Sequence, residues 1–180
     1  GNDGNISQEK LEDCINSDLA NNYGNLCQRV TAFTIKNCES KIPEKIEFQK
    51  DDLDILNKYN NNLDNIRSKI DKQDINFYID YIINSLFEAN KYFNDQEPWK
   101  KKDDIVRLNT IVYTTLEIVR KISFLLFPII PHSSLKALKI FNLSEKDIDF
   151  TSIGNNDFLT KGNSINKIEI LFNKIEKDND

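Results

Sequence analysis

Methionine is absent from all 180 residues, and histidine and tryptophan occur once each, as His132 and Trp99. A chain without methionine does not include its own start, so a piece of a longer polypeptide is expected. Glycine and proline are scarce, five and four, and they cluster where apolar patterns stop. That favours long helices over a many-turned β protein. The cysteines, Cys14, Cys27 and Cys38, are three in number and lack CxxC spacing. A structural zinc site usually needs four well-spaced ligands, so no metal site is expected. Free thiols without a signal peptide point to a cytoplasmic setting. The most apolar stretch, 122–130, is too short to span a bilayer and follows Arg120 and Lys121, so no membrane partner is expected. Lysine and arginine number 24 against 29 acids, a net charge of −5. That argues against nonspecific nucleic-acid binding and against DNA, and requires any RNA contact to be local and specific. There is no glycine-rich phosphate loop and no clear catalytic constellation. His132 follows Pro131 with no nucleophile or carboxylate pair nearby in sequence, which suits a capping or surface role. By elimination the chain reads as a binding module with no catalytic residues.

What is present is a globular composition, 39% hydrophobic and 29% charged, enough for one domain with a substantial core. Heavy use of Asn, Ile and Lys reads as genome bias and carries no functional information. After a loop from Gly1 to Ile6, Ser7 can cap a short first turn. A longer helix then runs to about residue 37 on Leu19, Tyr23, Leu26, Val30 and Phe33, spaced 4, 3, 4 and 3, one buried stripe. Ile42-Pro43 interrupts. A second helix is expected over 51–70 (Leu53, Leu56, Leu63, Ile66, Ile70) and a third over 73–95 (Ile75, Ile79, Ile82, Leu86, Phe93), stopping ahead of Pro98. A fourth over 102–127 carries Ile105, Leu108, Val112, Val119, Ile122 and Leu126, and Pro131 starts a fifth across Leu135, Leu138 and Phe141. Short joins imply antiparallel neighbours, hence an all-α, antiparallel bundle of about five helices occupying 1–143. Heptad-like spacing also fits a coiled coil, but separate stripes are better satisfied by packing on each other. The tail, 144–180, holds one amphipathic segment (Ile165, Ile168, Leu171, Phe172, Ile175) suited to packing back on the bundle or on a further domain.

Three features go beyond a bundle. Asn25 and Arg29 stand four apart, so they share one face of the first long helix, at the edge of its buried stripe. An amide beside a guanidinium can read the edge of a base; it can equally be an intrahelical hydrogen bond or an interhelical tie. Pro98-Trp99 lies in a polar loop flanked by Glu97 and Lys100. There a ring can stack on an unstacked base, or fold back to cap the core. The run Lys100-Lys101-Lys102, followed by Arg107, can meet phosphates or simply be a solvated helix start.

The segment 16–29, Asn-Ser-Asp-Leu-Ala-Asn-Asn-Tyr-Gly-Asn-Leu-Cys-Gln-Arg, resembles the start of the anticodon-binding domain of bacterial methionyl-tRNA synthetases. Asn90-Lys91-Tyr92 through Glu97-Pro98-Trp99 is similar to that family's second signature. The helix end broken by Pro128 and Pro131 is similar to the family's next segment. Asp3 to Ser7 resembles the exit from the catalytic domain, and Lys161-Gly162 through Leu171-Phe172 the closing segment. The resemblance covers nearly the whole chain in the right order. Because valyl, isoleucyl and leucyl enzymes share the helical architecture, the Asn-x-x-x-Arg pair together with Pro-Trp is the discriminating combination. Departures are Glu97, where the family often has alanine, and Asn173, near which it has proline.

The resemblance implies the class Ia synthetase bundle and, as partner, methionine tRNA read at its CAU anticodon loop. Asn25 and Arg29 would bind the first anticodon base, Trp99 would stack on it, and Pro98 would shape the loop. It further implies a catalytic domain of the same polypeptide, holding ATP and possibly zinc, so that the full-length enzyme is a methionine–tRNA ligase. This fragment would need no cofactor and would be inactive alone. The alternatives are a sister synthetase's anticodon domain or a helical protein-interaction module.

Overall fold

A computed structural model describes residues 17–18, 20–61, 68 and 75–168. Among these residues five α-helices form: α1 Asn25–Asn37, α2 Lys50–Asn61, α3 Ile75–Gln96, α4 Ile105–Leu126 and α5 Pro131–Leu138. A π-helical turn, Ala20–Gly24, leads into α1, and short 3-10 turns at Pro98–Lys100, Lys139–Phe141, Glu145–Asp147 and Phe150–Gly154 occupy the joins and tail.

Side-chain ties between helices fix their directions. Gln96 accepts from Arg107 at 2.8 Å, and the Tyr78 hydroxyl donates to the Leu125 carbonyl, so α3 and α4 run antiparallel. Asp52 meets Arg107 while Asn60 meets Lys121, so α2 runs with α4. Asn22 pairs with Asn90, and Arg29 with Asn94, so α1 runs with α3. The result is the expected up-and-down bundle. One end gathers the last turn of α3, the first turns of α2 and α4, and the 97–104 loop, with Arg29 of α1 level with the end of α3. Asp104 caps α4 there, accepting the Arg107 N–H at 3.2 Å, a contact of about 1 kcal/mol. At the other end α4 stops at Leu126 and Pro131 opens α5, where its missing N–H costs nothing.

The predicted stripes fill the core for the most part: Tyr23, Leu26, Val30, Leu56, Ile79, Ile82, Leu86, Phe93, Leu108, Val112, Val119, Ile122, Leu126, Leu138 and Phe141 are buried. Phe33 and Leu135 are partly so. Two expectations fail. Leu53 is 37% exposed and Ile105 52% exposed, while their neighbours Asp52 and Arg107 are buried. The two charges form a bidentate pair at 2.7 and 3.0 Å, and that pair takes the inward register at the start of both helices. Leu19, Leu63, Ile66, Ile70, the Ser7 cap and Cys14 lie outside the described residues.

Helix α4 is not amphipathic in the expected sense. From Arg107 to Leu126 nearly every residue is buried, Thr114, Thr115, Glu117, Arg120 and Lys121 included. It is the axis on which the other helices pack. The remaining side is covered by residues 150–165, which place Ile153, Leu159 and Ile165 in the same core. This segment also pairs with the chain after α1: Ile42 N–H donates to Asn163 O at 2.9 Å, and Ile165 N–H to Ser40 O at 2.7 Å. Of the amphipathic segment expected in the tail, Ile165 is buried and Ile168 partly buried; Leu171, Phe172 and Ile175 lie outside the described residues. No helix among the described residues is long and apolar enough to cross a membrane.

Candidate nucleic-acid interface

The loop between α3 and α4 is short and tightly folded. Glu97 adopts φ +48°, a left-handed conformation that ends α3 abruptly. Pro98 is buried beneath the turn, so its fixed φ anchors the neighbouring tryptophan. Lys100 N–H donates to the Glu97 carbonyl at 2.9 Å and Lys101 N–H to the Pro98 carbonyl at 3.1 Å. The Lys101 ammonium caps the carbonyl of Gln96 at the end of α3. This scaffolding holds Trp99 with 41% of its surface exposed. One edge of the indole rests on Phe93, with ring centroids 5.9 Å apart and planes at 61°. The tryptophan therefore neither caps the core completely nor hangs free.

Phe93 has a second partner on the side of α1. The guanidinium carbon of Arg29 lies 5.1 Å from the Phe93 ring centroid, a cation–π distance. Distances of 5.1 and 5.9 Å laid end to end put Arg29 at most 11 Å from the indole. Phe33 completes the aromatic floor, edge-on to Phe93 at 6.0 Å. Arg29 is half-buried, and its Nη2 donates to Asn94 Oδ1 at 2.5 Å. Asn25, one turn earlier on α1, is exposed, and its side chain makes no hydrogen bond to another described residue. The two residues thus form no intrahelical bond, and the polar tie runs instead from Arg29 across to α3. The indole N–H is likewise without a protein partner among the described residues. Arg29 and Trp99, with Pro98 beneath the turn, are therefore brought together around Phe93, and Asn25 lies exposed one turn before Arg29 with no contact joining it to Trp99 among the described residues.

Just behind this end, Asp52 collects the Gln49 amide at 2.8 Å, the Tyr92 hydroxyl and both Arg107 nitrogens. Burial works to raise the Asp52 carboxyl. The hydrogen bonds from Arg107, Tyr92 and the Gln49 amide, with the arginine's charge, outweigh it and hold the group below the usual carboxylate range. Arg107 is buried with its guanidinium donated to Asp52 and Gln96, so it belongs neither to a solvated helix start nor to a phosphate-facing run, the two readings its sequence position allowed. Lys100 is exposed and pairs loosely with Glu97 at 3.4 Å, so the acid at 97 faces the lysine run. His132 is exposed on α5. Cys27 is buried with its thiol pushed up by burial, and half-buried Cys38 is pushed up to about 11, so neither is a ready nucleophile. Among the described residues no group of three or more His, Cys, Asp or Glu can hold a metal ion.

Sequence reasoning placed Phe93 in the core stripe and Asn94 at a helix stop, both inside the stretch that resembles the second signature, and singled out neither as a site residue. Their positions beside Arg29 depend on α1 and α3 lying side by side in parallel, which no local pattern records.

Residues 42–180 match the family model described as the anticodon binding domain of methionyl tRNA ligase. A methionine–tRNA ligase of Mycobacterium leprae is 37% identical over 158 residues, 85% of this chain and 29% of its own length. One from Rickettsia felis is 35% identical over 99% of this chain, a span that includes Asn25 and Arg29, and 36% of its own length. The crystal structure of free Mycobacterium tuberculosis methionyl-tRNA synthetase superposes with a TM-score of 0.81 at 32% identity, over 88% of this chain and 33% of that one. The same enzyme with methionyl-adenylate gives 0.82 at 31% identity, over 91% of this chain. The chain thus spans about a third of the length of the relatives it matches.

Proposed function

Because this chain belongs to the family of methionyl-tRNA ligase anticodon-binding domains, we propose that it binds methionine tRNA and reads the first base of the CAU anticodon at Asn25, Arg29 and Trp99. The observation that carries the reading is the shared ring. Arg29 and the half-exposed Trp99 both rest on Phe93, and donors with no protein partner lie within reach of a single nucleotide. Cytosine presents acceptors at O2 and N3 and a donor at N4. Arginine only donates, so it suits O2 and N3, whereas uracil turns an N3–H toward it. Asn25 supplies a donor or an acceptor as N4 requires. The indole face accepts any base, so it supplies affinity while the polar pair supplies identity.

In the longer polypeptide, the proposed activity is ATP-dependent attachment of methionine to that tRNA in the cytoplasm. ATP, and zinc if the enzyme holds it, belong in that proposal to a catalytic domain outside this chain. The anticodon-binding domain selects the substrate and does no chemistry alone.

The test uses transcripts of methionine tRNA with C or U at the first anticodon position. Trp99→Ala should weaken both by a similar factor, about 1–3 kcal/mol. Arg29→Ala should weaken the cytosine transcript most and shrink the ratio between the two. The reading fails if both variants, shown folded by helicity and melting, bind methionine tRNA as well as the parent.

A further inference from the structure

Arginine carries five N–H donors on a side chain with about 2 kcal/mol of rotamer entropy. A base-reading arginine left free in solution must be ordered by its ligand, and that cost comes out of the discrimination it provides. In this bundle Arg29 is already held twice by α3. Its guanidinium carbon lies over the Phe93 ring, 5.1 Å from the centroid, and one Nη2 hydrogen is taken by Asn94 Oδ1 at 2.5 Å. No other hydrogen bond engages it among the described residues, so four of its donors stay open. The acceptor is neutral, so the tie fixes the guanidinium without cancelling its charge. Asn94 itself is exposed, and its side chain makes no other hydrogen bond to a described residue. It supports no core packing, and its one polar contact is with Arg29.

We propose that Asn94 is a positioning residue for cytosine discrimination: its side-chain oxygen holds the Arg29 guanidinium beside Phe93 and Trp99 in the orientation the base requires. The inference rests on the reading that Arg29 contacts the first anticodon base. It assigns the base-reading geometry to two helices, α1 and α3, where the sequence motif pointed to α1 and the loop.

The test measures Kd for the cytosine and uracil transcripts with the full chain and four variants: Asn94→Leu, Asn94→Asp, Arg29→Ala and the double variant Arg29→Ala/Asn94→Leu. Asn94→Leu removes the acceptor at similar volume and should cut the cytosine-to-uracil ratio roughly threefold to tenfold, the net worth of one ordinary hydrogen bond, as fits an exposed pair. Asn94→Asp keeps an acceptor and should keep the ratio, while its added charge weakens both transcripts alike. In the Arg29→Ala background Asn94→Leu should change nothing further, a coupling that a merely structural residue would not show. A ratio unmoved by Asn94→Leu but collapsed by Arg29→Ala overturns the positioning role and leaves the base reader standing. A ratio unmoved by Arg29→Ala overturns both. Equal losses from Asn94→Leu with and without Arg29 also overturn the proposal.

Discussion

Two clusters of charge in this bundle are built on opposite rules. Midway along α4, Glu117, Arg120 and Lys121 are fully buried, and the protein answers almost every polar atom they carry. Glu117 accepts the N–H groups of Phe158 and Leu159 at 2.5 and 3.0 Å and two Arg120 nitrogens at 2.9 and 2.7 Å. Arg120 also donates to the carbonyls of Ser152 and Asn155, and its face lies 4.4 Å from the Phe158 ring centroid. At the open end Arg29 makes one hydrogen bond, and the side chain of Asn25 makes none among the described residues. Saturated charges hold chain to chain: the α4 cluster fixes residues 152–159 on the bundle by engaging the N–H groups of Phe158 and Leu159 and the carbonyls of Ser152 and Asn155. Unsaturated donors at a solvent-facing end have capacity left for a ligand. The number of donors already satisfied separates the two roles better than charge does, since both clusters contain an arginine lying over a phenylalanine ring.

The sharpest way to break the contrast is to unbalance the saturated cluster. Glu117→Ala leaves Arg120 charged, buried and without its carboxylate, and strands two backbone amides. Losing one partner of a buried pair costs about 3–5 kcal/mol. Urea unfolding should show a loss of that size, with the ratio of cytosine to uracil binding unchanged wherever the variant remains folded. A loss of less than about 1 kcal/mol would mean that water already reaches the cluster and that saturation does not mark a structural role.

The same contrast explains what the sequence disclosed. Apolar spacing was enough for five helices and for most of the core, because Tyr23, Leu26, Val30, Ile82, Leu86 and Val119 follow a helical period that only burial rewards. It failed where charge is buried. Leu53 and Ile105 look like stripe residues, but the Asp52–Arg107 pair occupies the inward positions beside them. An aspartate does not read as core until its arginine, 55 residues away, is known. The all-round burial of α4 was hidden for a related reason: its cover comes from the tail, where Ile153 and Leu159 carry no helical period. At the proposed interface Asn25, Arg29, Pro98 and Trp99 were singled out through their motif. Phe93 and Asn94 became visible only once α1 and α3 were seen side by side.

A second prediction sharpens the contrast through pH. The Lys121 ammonium donates to the side-chain oxygens of Asn60 and Asn156 and to no carboxylate. Burial, reinforced by the neighbouring Arg120 charge and opposed by Glu117, pushes it down to about 7. The folded chain therefore releases this proton near pH 7, whereas the unfolded chain keeps it to about 10.5. Between those values the unfolded state binds more protons, so stability rises with pH. Relative to Lys121→Met, the parent should gain up to about 1.4 kcal/mol per pH unit above pH 7. Unfolding measured from pH 6 to 9 would give parallel curves if Lys121 kept its charge in the fold.

The smallest effect is expected where charge is neither saturated nor aimed. Lys100 is mostly exposed and meets Glu97 at 3.4 Å across the Trp99 turn. Exposed pairs of this kind are worth little, so Lys100→Ala should change stability by less than about 0.5 kcal/mol. The residue follows Trp99 directly in sequence, and its ammonium is fixed by no buried partner. Any contact with RNA would therefore be with the phosphate chain and would carry no base identity. Lys100→Ala should leave the cytosine-to-uracil ratio untouched and lower the slope of log affinity against log salt by at most about 0.7, the share of one phosphate contact on a single strand. A changed ratio would place Lys100 among the base readers and undo the distinction between held and unheld donors at this end. An unchanged slope would restrict the interface to Asn25, Arg29 and Trp99, the groups whose geometry the bundle itself sets.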